Sequence, residues 1–287
     1  MKGILENKVA VITGGSRGLG YAIAEAYGRE GAKVVIASRT PRSVDRAVDS
    51  LREAGCQAAG LVCEVSNLQQ VEALAELAVC TFGRIDIWIN NAGLSAPYGP
   101  TAHIPSEDFK NVIDTNITGT YNGSVTAMRY FAKQKSGKLI NLLGRGDSGS
   151  VPLQNAYSSS KVWVRNFTDA LAKEYKNSGV DVFGFNPGLV KTDMLSQVEA
   201  VSGFENRLNP LRYITLLWGN EPDVPAQKAL WLASSATDGK SGMQVTVLTT
   251  WFKLSRLFTT LLGRLKKQPE ELMELNVTSV EPAISGD

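Results

Sequence analysis

Short apolar runs alternate with longer amphipathic segments along most of the chain. The runs have the length of strands, and the segments between them repeat apolar residues three or four positions apart, as one face of a helix does. Strands separated by helices pair as a parallel sheet through right-handed crossovers. We therefore predict an α/β fold with a doubly wound parallel sheet. The predicted strands are residues 8–13, 33–38, 57–65, 85–90, 138–143, 180–186 and 242–248, and the main predicted helices are residues 19–30, 42–54, 68–82, 106–134 and 155–176.

The alternation contains no internal repeat and no low-complexity linker, which predicts a single domain over residues 1–248. Residues 249–287 follow as a C-terminal extension. Apolar residues recur at helical spacing over 252–267, together with several lysines and arginines. Such a helix either packs on its own domain or a partner subunit, or lies on a membrane surface. Packing is the preferred interpretation because exposed apolar patches usually mark protein contacts. Residues 273–280 are expected to add an extended segment.

Composition and charge exclude several classes of protein. The 287 residues are 43% hydrophobic and 20% charged, as in an ordinary globular protein, and a formal net charge of +2 argues against nucleic-acid binding by bulk charge. No apolar stretch reaches the ~18 residues of a membrane helix. Cys56, Cys63 and Cys80 lack metal-type spacing, and the single histidine, His103, excludes a histidine-rich zinc site. With no recognisable signal peptide, we expect a cytoplasmic protein with reduced thiols and no metal.

Residues 13–20 read TGGSRGLG at the junction of the first strand and the first helix. Glycines at this place permit a tight turn and let the backbone approach a pyrophosphate, and the helix N-terminus offers free N–H groups and a positive dipole end. A glycine pattern alone is a weak signal, but its position between the first strand and helix of an α/β alternation strengthens it. We therefore predict a dinucleotide site. The residues expected to contact the cofactor in this loop are Gly14, Ser16, Arg17, Gly18, Leu19 and Gly20.

This loop resembles that of the short-chain dehydrogenase/reductase family, and four further motifs occur in the family's order: NNAG at 90–93, Asn116, YSSSK at 157–161 and PGLVKT at 187–192. The resemblance covers residues 8 to about 248. It implies a Rossmann-type sheet of seven strands in the order 3-2-1-4-5-6-7, with a variable lid over 193–220. It also implies a small-molecule substrate and a homodimer or homotetramer formed through the helices at 106–134 and 155–176. Further cofactor contacts are implied for Asn91, Ala92, Gly93, Pro187, Gly188, Val190 and Thr192.

The end of the second strand indicates which dinucleotide binds. A carboxylate at this place would accept the ribose hydroxyls of NAD and repel a 2′-phosphate. The chain has Ser38 and Arg39 there instead, and Arg17 lies in the glycine loop. Two cations and no carboxylate favour NADP(H). Glu64 and Val65 stand where the family commonly has Asp-Val beside the adenine.

Tyr157 and Lys161 are four residues apart on a predicted helix and hence share a face. An ammonium group beside a phenol favours the phenolate and is expected to lower the pKa of Tyr157. The pair can then donate a proton to a carbonyl or accept one from an alcohol. Family resemblance implies that Lys161 also holds the nicotinamide ribose. It implies that Asn116 kinks its helix and holds a water in the proton relay.

The family's usual serine is missing thirteen positions before Tyr157, where the chain has Gly144 after Leu143. Losing one donor to the substrate oxygen typically costs ~10²–10³ in rate. Three explanations remain open. A group of the following loop replaces the serine: Ser148, Ser150, Arg145 or Asp147. The substrate needs no serine, because it is an imine, an activated alkene or a compound that orients itself by its own polar groups. Or the protein binds NADP(H) without useful turnover.

The lid region is rich in apolar residues, which either pack on the core or a neighbour, or line a large substrate pocket closed by a mobile lid. We predict an NADP(H)-dependent reductase that transfers hydride to a carbonyl, imine or enone carbon of a bulky, apolar small molecule. The alternative is an NADP(H)-binding sensor or scaffold. His103 is expected to be structural. The candidate pocket residues are Leu143, Gly144, Arg145, Ser148, Leu153, Met194 and Leu195.

Overall fold

The computed structural model describes residues 3–249, 251–252, 254–255 and 272–283. The helix predicted over 252–267 lies outside these residues apart from positions 252, 254 and 255. Within the described residues, no helix combines the length and the apolar character needed to cross a bilayer.

The strands of the central sheet are short; those in its middle are buried on both faces, and the two edge strands are partly exposed. The strands are β1 (Val9–Thr13), β2 (Lys33–Ser38), β3 (Gln57–Val62), β4 (Ile87–Asn90), β5 (Gly137–Leu142), β6 (Val180–Asn186), β7 (Leu189–Val190), β8 (Gln197–Val201), β9 (Gly219–Asn220), β10 (Gln244–Thr246) and β11 (Asn276–Val280). Seven of them pair in the order β10-β6-β5-β4-β1-β2-β3, with every neighbouring pair parallel. The order 3-2-1-4-5-6-7 is therefore confirmed, with β10 as the seventh strand.

Helices cover both faces of this sheet. The helices of the described residues are α1 (Gly18–Arg29), α2 (Pro41–Glu53), α3 (Leu68–Phe82), α4 (Ser106–Val112), α5 (Gly119–Gln134), α6 (Asn155–Glu174), α7 (Asp193–Ser196), α8 (Asn209–Trp218) and α9 (Asp223–Ala233). Of these, α7 and α8 belong to the region predicted as a lid and do not cover the sheet. Alternate residues of β1 enter two different cores: Ala10 and Ile12 pack under α1 and α9, whereas Val9 and Val11 pack under α3 and α5. The middle strands, such as β1 and β4, are mainly apolar because both of their faces are buried.

The helix predicted over 106–134 runs without a break, but its backbone hydrogen-bond pattern changes from α-helical to π-helical and back. A π-helical turn, Ile113–Thr118, separates α4 from α5. Ser106 is the first residue of α4 and follows Pro105, so the helix starts without a side-chain cap. Glu107 and Asp108 do occupy the first turn, where carboxylates favour the helix dipole.

A second, two-stranded sheet joins the region predicted as a lid to the C-terminal extension: β8 of that region pairs in parallel with β11 of the extension. The other edge of β8 is also bonded, because Tyr98 N donates to Glu199 O at 2.8 Å and Val201 N donates to Tyr98 O at 3.0 Å. Leu208 and Leu275 are buried in a small cluster beneath these strands. The extended segment expected at 273–280 therefore holds the lid from one side.

Candidate active site

A cavity of about 730 Å³ opens at the carboxyl ends of the strands, where an open α/β sheet binds its ligands. All the residues predicted from the sequence to contact the cofactor line this cavity, from Gly14 in the first loop to Thr192 after β7. Of the proposed substrate-pocket residues, Ser148 and Leu153 do not line it, and Ser148 is exposed. The other five predicted substrate-pocket residues do line the cavity: Leu143, Gly144, Arg145, Met194 and Leu195.

The glycine loop between β1 and α1 is shaped by contacts that only glycine permits. Gly14 and Gly18 have φ of 64° and 55°, in the left-handed region. A β-carbon on Gly20 would stand 2.3 Å from the carbonyl oxygen of Gly14. The loop therefore closes tightly on the first turn of α1 and leaves a cradle of the kind that a phosphate group fills.

Asn91 ties this loop to the strand beside it. Its Nδ2 donates to the carbonyl oxygens of Thr13 at 2.9 Å and Gly14 at 3.1 Å. Thr13 Oγ1 accepts from the backbone N–H groups of Asn91 and Ala92, each at 3.1 Å. The first and second sequence motifs therefore form one rigid floor, and this explains why an asparagine and a threonine are needed there.

The cavity is also lined by the residues from which the sequence predicts the choice between NAD and NADP. Arg39 is exposed immediately after β2, beside the half-buried Ser38. Arg17 Nη1 forms an ion pair with Asp193 Oδ2 at 3.0 Å, across the cavity mouth. The acidic lining residues are Glu64 and Asp193, so no carboxylate follows β2.

Tyr157 and Lys161 lie on the first turns of α6 and face the cavity. Lys161 Nζ is 5.5 Å from the centroid of the Tyr157 ring and donates to Leu142 O at 3.0 Å. Asn116, in the π-helical turn, is fully buried. Its Oδ1 accepts from Leu94 N at 2.8 Å, and its Nδ2 donates to Leu94 O at 2.9 Å and Ser160 Oγ at 3.0 Å. Through these bonds the Asn116 amide holds the loop after β4 against α6.

The ionisation of this pair differs from the expectation. Burial, with the Asp147 carboxylate adding to it, raises the pKa of Tyr157 to about 12. Burial lowers the pKa of Lys161 to about 8, an effect that Asp147 opposes. Lys161 is therefore mostly charged at neutral pH, but it loses its proton at a lower pH than Tyr157, so no ammonium group remains at the pH where the phenol would titrate. The expected lowering of the pKa of Tyr157 is wrong for the protein alone, and Tyr157 is a protonated donor at neutral pH.

Gly144 and the loop after it make room for this tyrosine. A β-carbon on Gly144 would stand 2.3 Å from the Tyr157 hydroxyl oxygen. In the same loop, the Asp147 carboxylate is buried and accepts from Asn186 Nδ2 at 3.1 Å and Arg165 Nη1 at 3.3 Å. Asp147 is therefore occupied in fixing the loop.

Several lining residues were not predicted from the sequence, because only the fold brings them together. Gln154 lies three residues before Tyr157, a spacing that could have signalled it. Tyr98 enters from the loop after β4, far from the lid in sequence. His103 does not line the cavity and packs edge-to-face on Phe204, with ring centroids 6.2 Å apart. The apolar lining residues of the lid and its neighbours are Leu94, Tyr98, Met194, Leu195, Val198, Leu208, Pro210, Leu211 and Ile214.

Comparisons with known proteins agree with this geometry. A family model described as short chain dehydrogenase matches residues 8–202. The 3beta-hydroxysteroid dehydrogenase 1 of Eggerthella lenta is 35% identical over 240 residues, which span 83% of this chain and 91% of that protein. A 3-ketoacyl-(acyl-carrier-protein) reductase from Brucella melitensis, complexed with NADH, has a TM-score of 0.75 at 27% identity, covering 85% of this chain and 97% of that one. A variant of actinorhodin polyketide ketoreductase with NADPH has a TM-score of 0.76 at 27% identity, covering 86% and 97%.

Proposed function

Since the chain belongs to the short chain dehydrogenase family and is an oxidoreductase of that family, we propose that it is an NADPH-dependent reductase of carbonyl compounds. The observation that carries the proposal is the placement of Tyr157, which lines the same cavity as Lys161 and the glycine loop. Burial raises the pKa of Tyr157 to about 12, which favours the neutral phenol at pH 7. A neutral phenol is the form that gives a proton to a carbonyl oxygen.

When bound, the reduced nicotinamide supplies the hydride. Tyr157 completes the reduction: the C=O π electrons move to oxygen as the new C–H bond forms, and that oxygen takes the phenolic proton. The product is an alcohol, and Tyr157 regains a proton from solvent. The ammonium form of Lys161 stabilises the phenolate while it exists. Imines and enones that place an atom of similar basicity beside Tyr157 are reduced by the same proton transfer.

The preference for NADPH is supported by the charges of Arg39 and Arg17, which line the cavity. Arg39 has no ion-pair partner among the described residues, whereas Arg17 is paired with Asp193. A 2′-phosphate placed here meets Arg39 directly and competes with Asp193 for Arg17. The ketoreductase neighbour holds NADPH and the acyl-carrier-protein reductase neighbour holds NADH, so the two relatives differ on this point.

The substrate that we propose is a bulky, largely apolar small molecule. The support comes from the size of the cavity, about 730 Å³, and from its lining by lid residues such as Met194 and Leu211. We propose residues 1–248 as one catalytic domain with a lid over 193–220, and residues 249–287 as an extension that packs on it. The free thiols of Cys56, Cys63 and Cys80 favour a reducing compartment, hence the cytoplasm.

A homodimer or homotetramer is proposed through α5 and α6. Tyr121 of α5 is 47% exposed, and its ring lies 6.1 Å from that of Phe167 on α6. Trp163 stacks on Phe167 with centroids 4.7 Å apart. A row of partly exposed aromatic rings on two adjacent helices is typical of a protein interface.

A second function, an NADP(H)-binding sensor or scaffold with little turnover, is favoured by one observation: Gly144 offers no hydroxyl to orient a substrate. The two functions are separated by assaying NADPH oxidation with a panel of ketones, imines and enones, for the wild type and Tyr157→Phe. The reductase predicts turnover that Tyr157→Phe lowers by ~10²–10⁴, with unchanged NADPH affinity. Tight NADPH binding without turnover on any compound of the panel would instead support the sensor.

A further inference from the structure

We propose that Gln154 selects the substrate, by accepting a hydrogen bond from a hydroxyl or N–H group close to the reacting carbonyl. The inference rests on the proposed reductase function and adds the substrate class: carbonyl compounds with an apolar body and a hydrogen-bond donor near the carbonyl. Gln154 is then a specificity-determining residue that contacts substrate.

The position of Gln154 fits this role. It immediately precedes α6, and Tyr157 follows three residues later. Gln154 is the N-cap residue, with a non-helical backbone, and Tyr157 is the third residue of the helix, so both side chains leave the chain at the first turn of α6. Gln154, Tyr157 and Gly144 all line the cavity, and Gly144 lies against the Tyr157 hydroxyl. A substrate whose carbonyl oxygen meets the Tyr157 hydroxyl therefore lies next to the Gln154 amide.

The amide oxygen of Gln154 lacks a partner. Oε1 is buried and accepts no hydrogen bond from any of the described residues. Buried polar groups in native proteins nearly always have a partner, because an unpaired one keeps the full cost of its desolvation. A donor group on a bound molecule supplies the missing hydrogen bond.

The backbone before Gln154 is held in an uncommon conformation. Leu153 has φ of 65°, in the left-handed region that residues with a side chain rarely adopt. Its carbonyl oxygen accepts from Gly99 N at 3.0 Å, and the Gln154 carbonyl oxygen accepts from Ser158 N at 2.9 Å. Strain of this kind persists only where the surroundings fix it, and it clusters at ligand sites. The main chain at Gln154 is therefore held on both sides by backbone hydrogen bonds.

The other polar groups of this region are less suited to the task. Arg145 lines the cavity but is exposed, so water satisfies its guanidinium. Asp147 is engaged by Asn186 and Arg165. Ser148 and Ser150 are exposed and do not line the cavity. Gln154 is half-buried, but its Oε1 is the polar side-chain atom of this loop and helix start that is shielded from solvent and has no partner among the described residues.

This arrangement accounts for Gly144. The substrate is oriented by its own donor group against Gln154, so a serine hydroxyl at position 144 is not required. The space that the serine would fill belongs instead to the Tyr157 hydroxyl. Of the three explanations of the missing serine, this is the one in which the substrate orients itself.

The test uses two aryl ketones that differ in one hydrogen-bond donor, 2-hydroxyacetophenone and 2-methoxyacetophenone. Steady-state kcat/KM with saturating NADPH is measured on both for the wild type, Gln154→Leu and Asn155→Leu. The Asn155 variant is the matched control, because that amide is exposed, bonds to Thr101 Oγ1 at 3.3 Å and does not line the cavity. NADPH affinity and the thermal midpoint are measured for all three proteins to show that the fold is retained.

The expected result is a wild-type preference for the hydroxyketone of about tenfold, the value of one good hydrogen bond. Gln154→Leu brings the ratio close to one and Asn155→Leu leaves it unchanged. A wild-type ratio near one, or a preference that survives in Gln154→Leu, overturns the inference while leaving the reductase function intact. If neither ketone is turned over, their binding to the complex with NADP⁺ is compared by calorimetry. A hydroxyketone preference lost in Gln154→Leu then supports the inference and its absence overturns it, and the lack of turnover counts against the proposed function alone.

Discussion

The Tyr157 hydroxyl lies against the α-carbon of Gly144, where a β-carbon would approach its oxygen to 2.3 Å and its Cζ to 3.2 Å. Real β-carbons do not come so close to another heavy atom, so any side chain at position 144 displaces the phenol. The absence of serine and the position of the proton donor are therefore one structural feature. A glycine here is a condition for the observed placement of Tyr157.

The first prediction is that Gly144→Ser does not restore a missing donor but lowers kcat. Moving the phenol by about 1 Å is enough to cost ~10²-fold in rate. Gly149→Ser is the control, because that glycine lies in the same loop, has an ordinary φ and has no atom within 4 Å of the place where a β-carbon would stand. Steady-state assays with NADPH measure both. An increase in kcat for Gly144→Ser contradicts the prediction and indicates that Tyr157 adapts to the serine.

The second prediction concerns pH. Reduction needs Lys161 charged and Tyr157 protonated, and both conditions hold below the respective pKa and are lost above it. Because burial places the pKa of Lys161 at about 8 and that of Tyr157 at about 12, kcat/KM for reduction should be level at neutral pH and fall above pH 8. A profile of kcat/KM against pH measures this in the free enzyme.

The third prediction follows from Asp147, which raises the pKa of both groups. Asp147→Asn removes the negative charge but keeps an oxygen that accepts from Asn186 and Arg165. The pKa of Lys161 then falls, and the decline in kcat/KM should begin at a lower pH than in the wild type. Asp45→Asn, an exposed carboxylate on α2, should leave the profile in place. An unchanged profile for Asp147→Asn would show that its charge is not felt at Lys161.

The fourth prediction tests the cofactor end. Arg39→Ala should lower kcat/KM for NADPH by about 10- to 100-fold, the value of a charge-assisted hydrogen bond, with little change for NADH. Arg42→Ala is the control, because Arg42 is exposed on the adjoining turn of α2 and does not line the cavity. Equal losses for both cofactors in Arg39→Ala would contradict a 2′-phosphate contact. The ratio of the two kcat/KM values is the measurement.

The sequence predicted those parts of the fold that depend on residues close together in the chain, such as turns, strands and helix faces. The turn between β1 and α1 needs Gly14 and Gly18 at positive φ, and that need is visible in the sequence itself. The central strands are apolar on both faces and therefore recognisable without knowledge of their partners. The presence of Tyr157 and Lys161 on one helical face follows from their spacing alone.

Contacts between residues far apart in the chain could not be predicted from sequence patterns of this kind. Arg17 and Asp193 are 176 residues apart, and nothing near either residue signals their ion pair. The position of the Tyr157 hydroxyl against Gly144 depends on how α6 meets the loop after β5. The pKa of Tyr157 was predicted in the wrong direction, because spacing to Lys161 says nothing of burial or of Asp147. The sequence shows which titratable groups are present, but their pKa values depend on how the folded protein packs around them.

The last prediction concerns the C-terminal strand. Val277 of β11 belongs to the small cluster that includes Val198 and Leu211, and both of these line the cavity. Val277→Asp places a charge in this cluster and should loosen the lid. We expect substrate KM to rise by about tenfold and the thermal midpoint to fall, because an unpaired charge among apolar side chains is costly. NADPH affinity should be unchanged, since the cofactor floor lies on β1 and β4.

Thr278→Asp is the matched control for this strand, because Thr278 is exposed and adjacent, and its side chain points to the opposite face of β11. It introduces the same charge without entering the cluster, so it should keep the wild-type KM. If both variants raise KM equally, pairing of β11 with β8 matters through its backbone alone. If neither variant does, the lid is held by Tyr98 and its own helices, and the extension makes no contribution to substrate binding. A rise confined to Val277→Asp means that the C-terminal strand forms part of the wall of the substrate pocket.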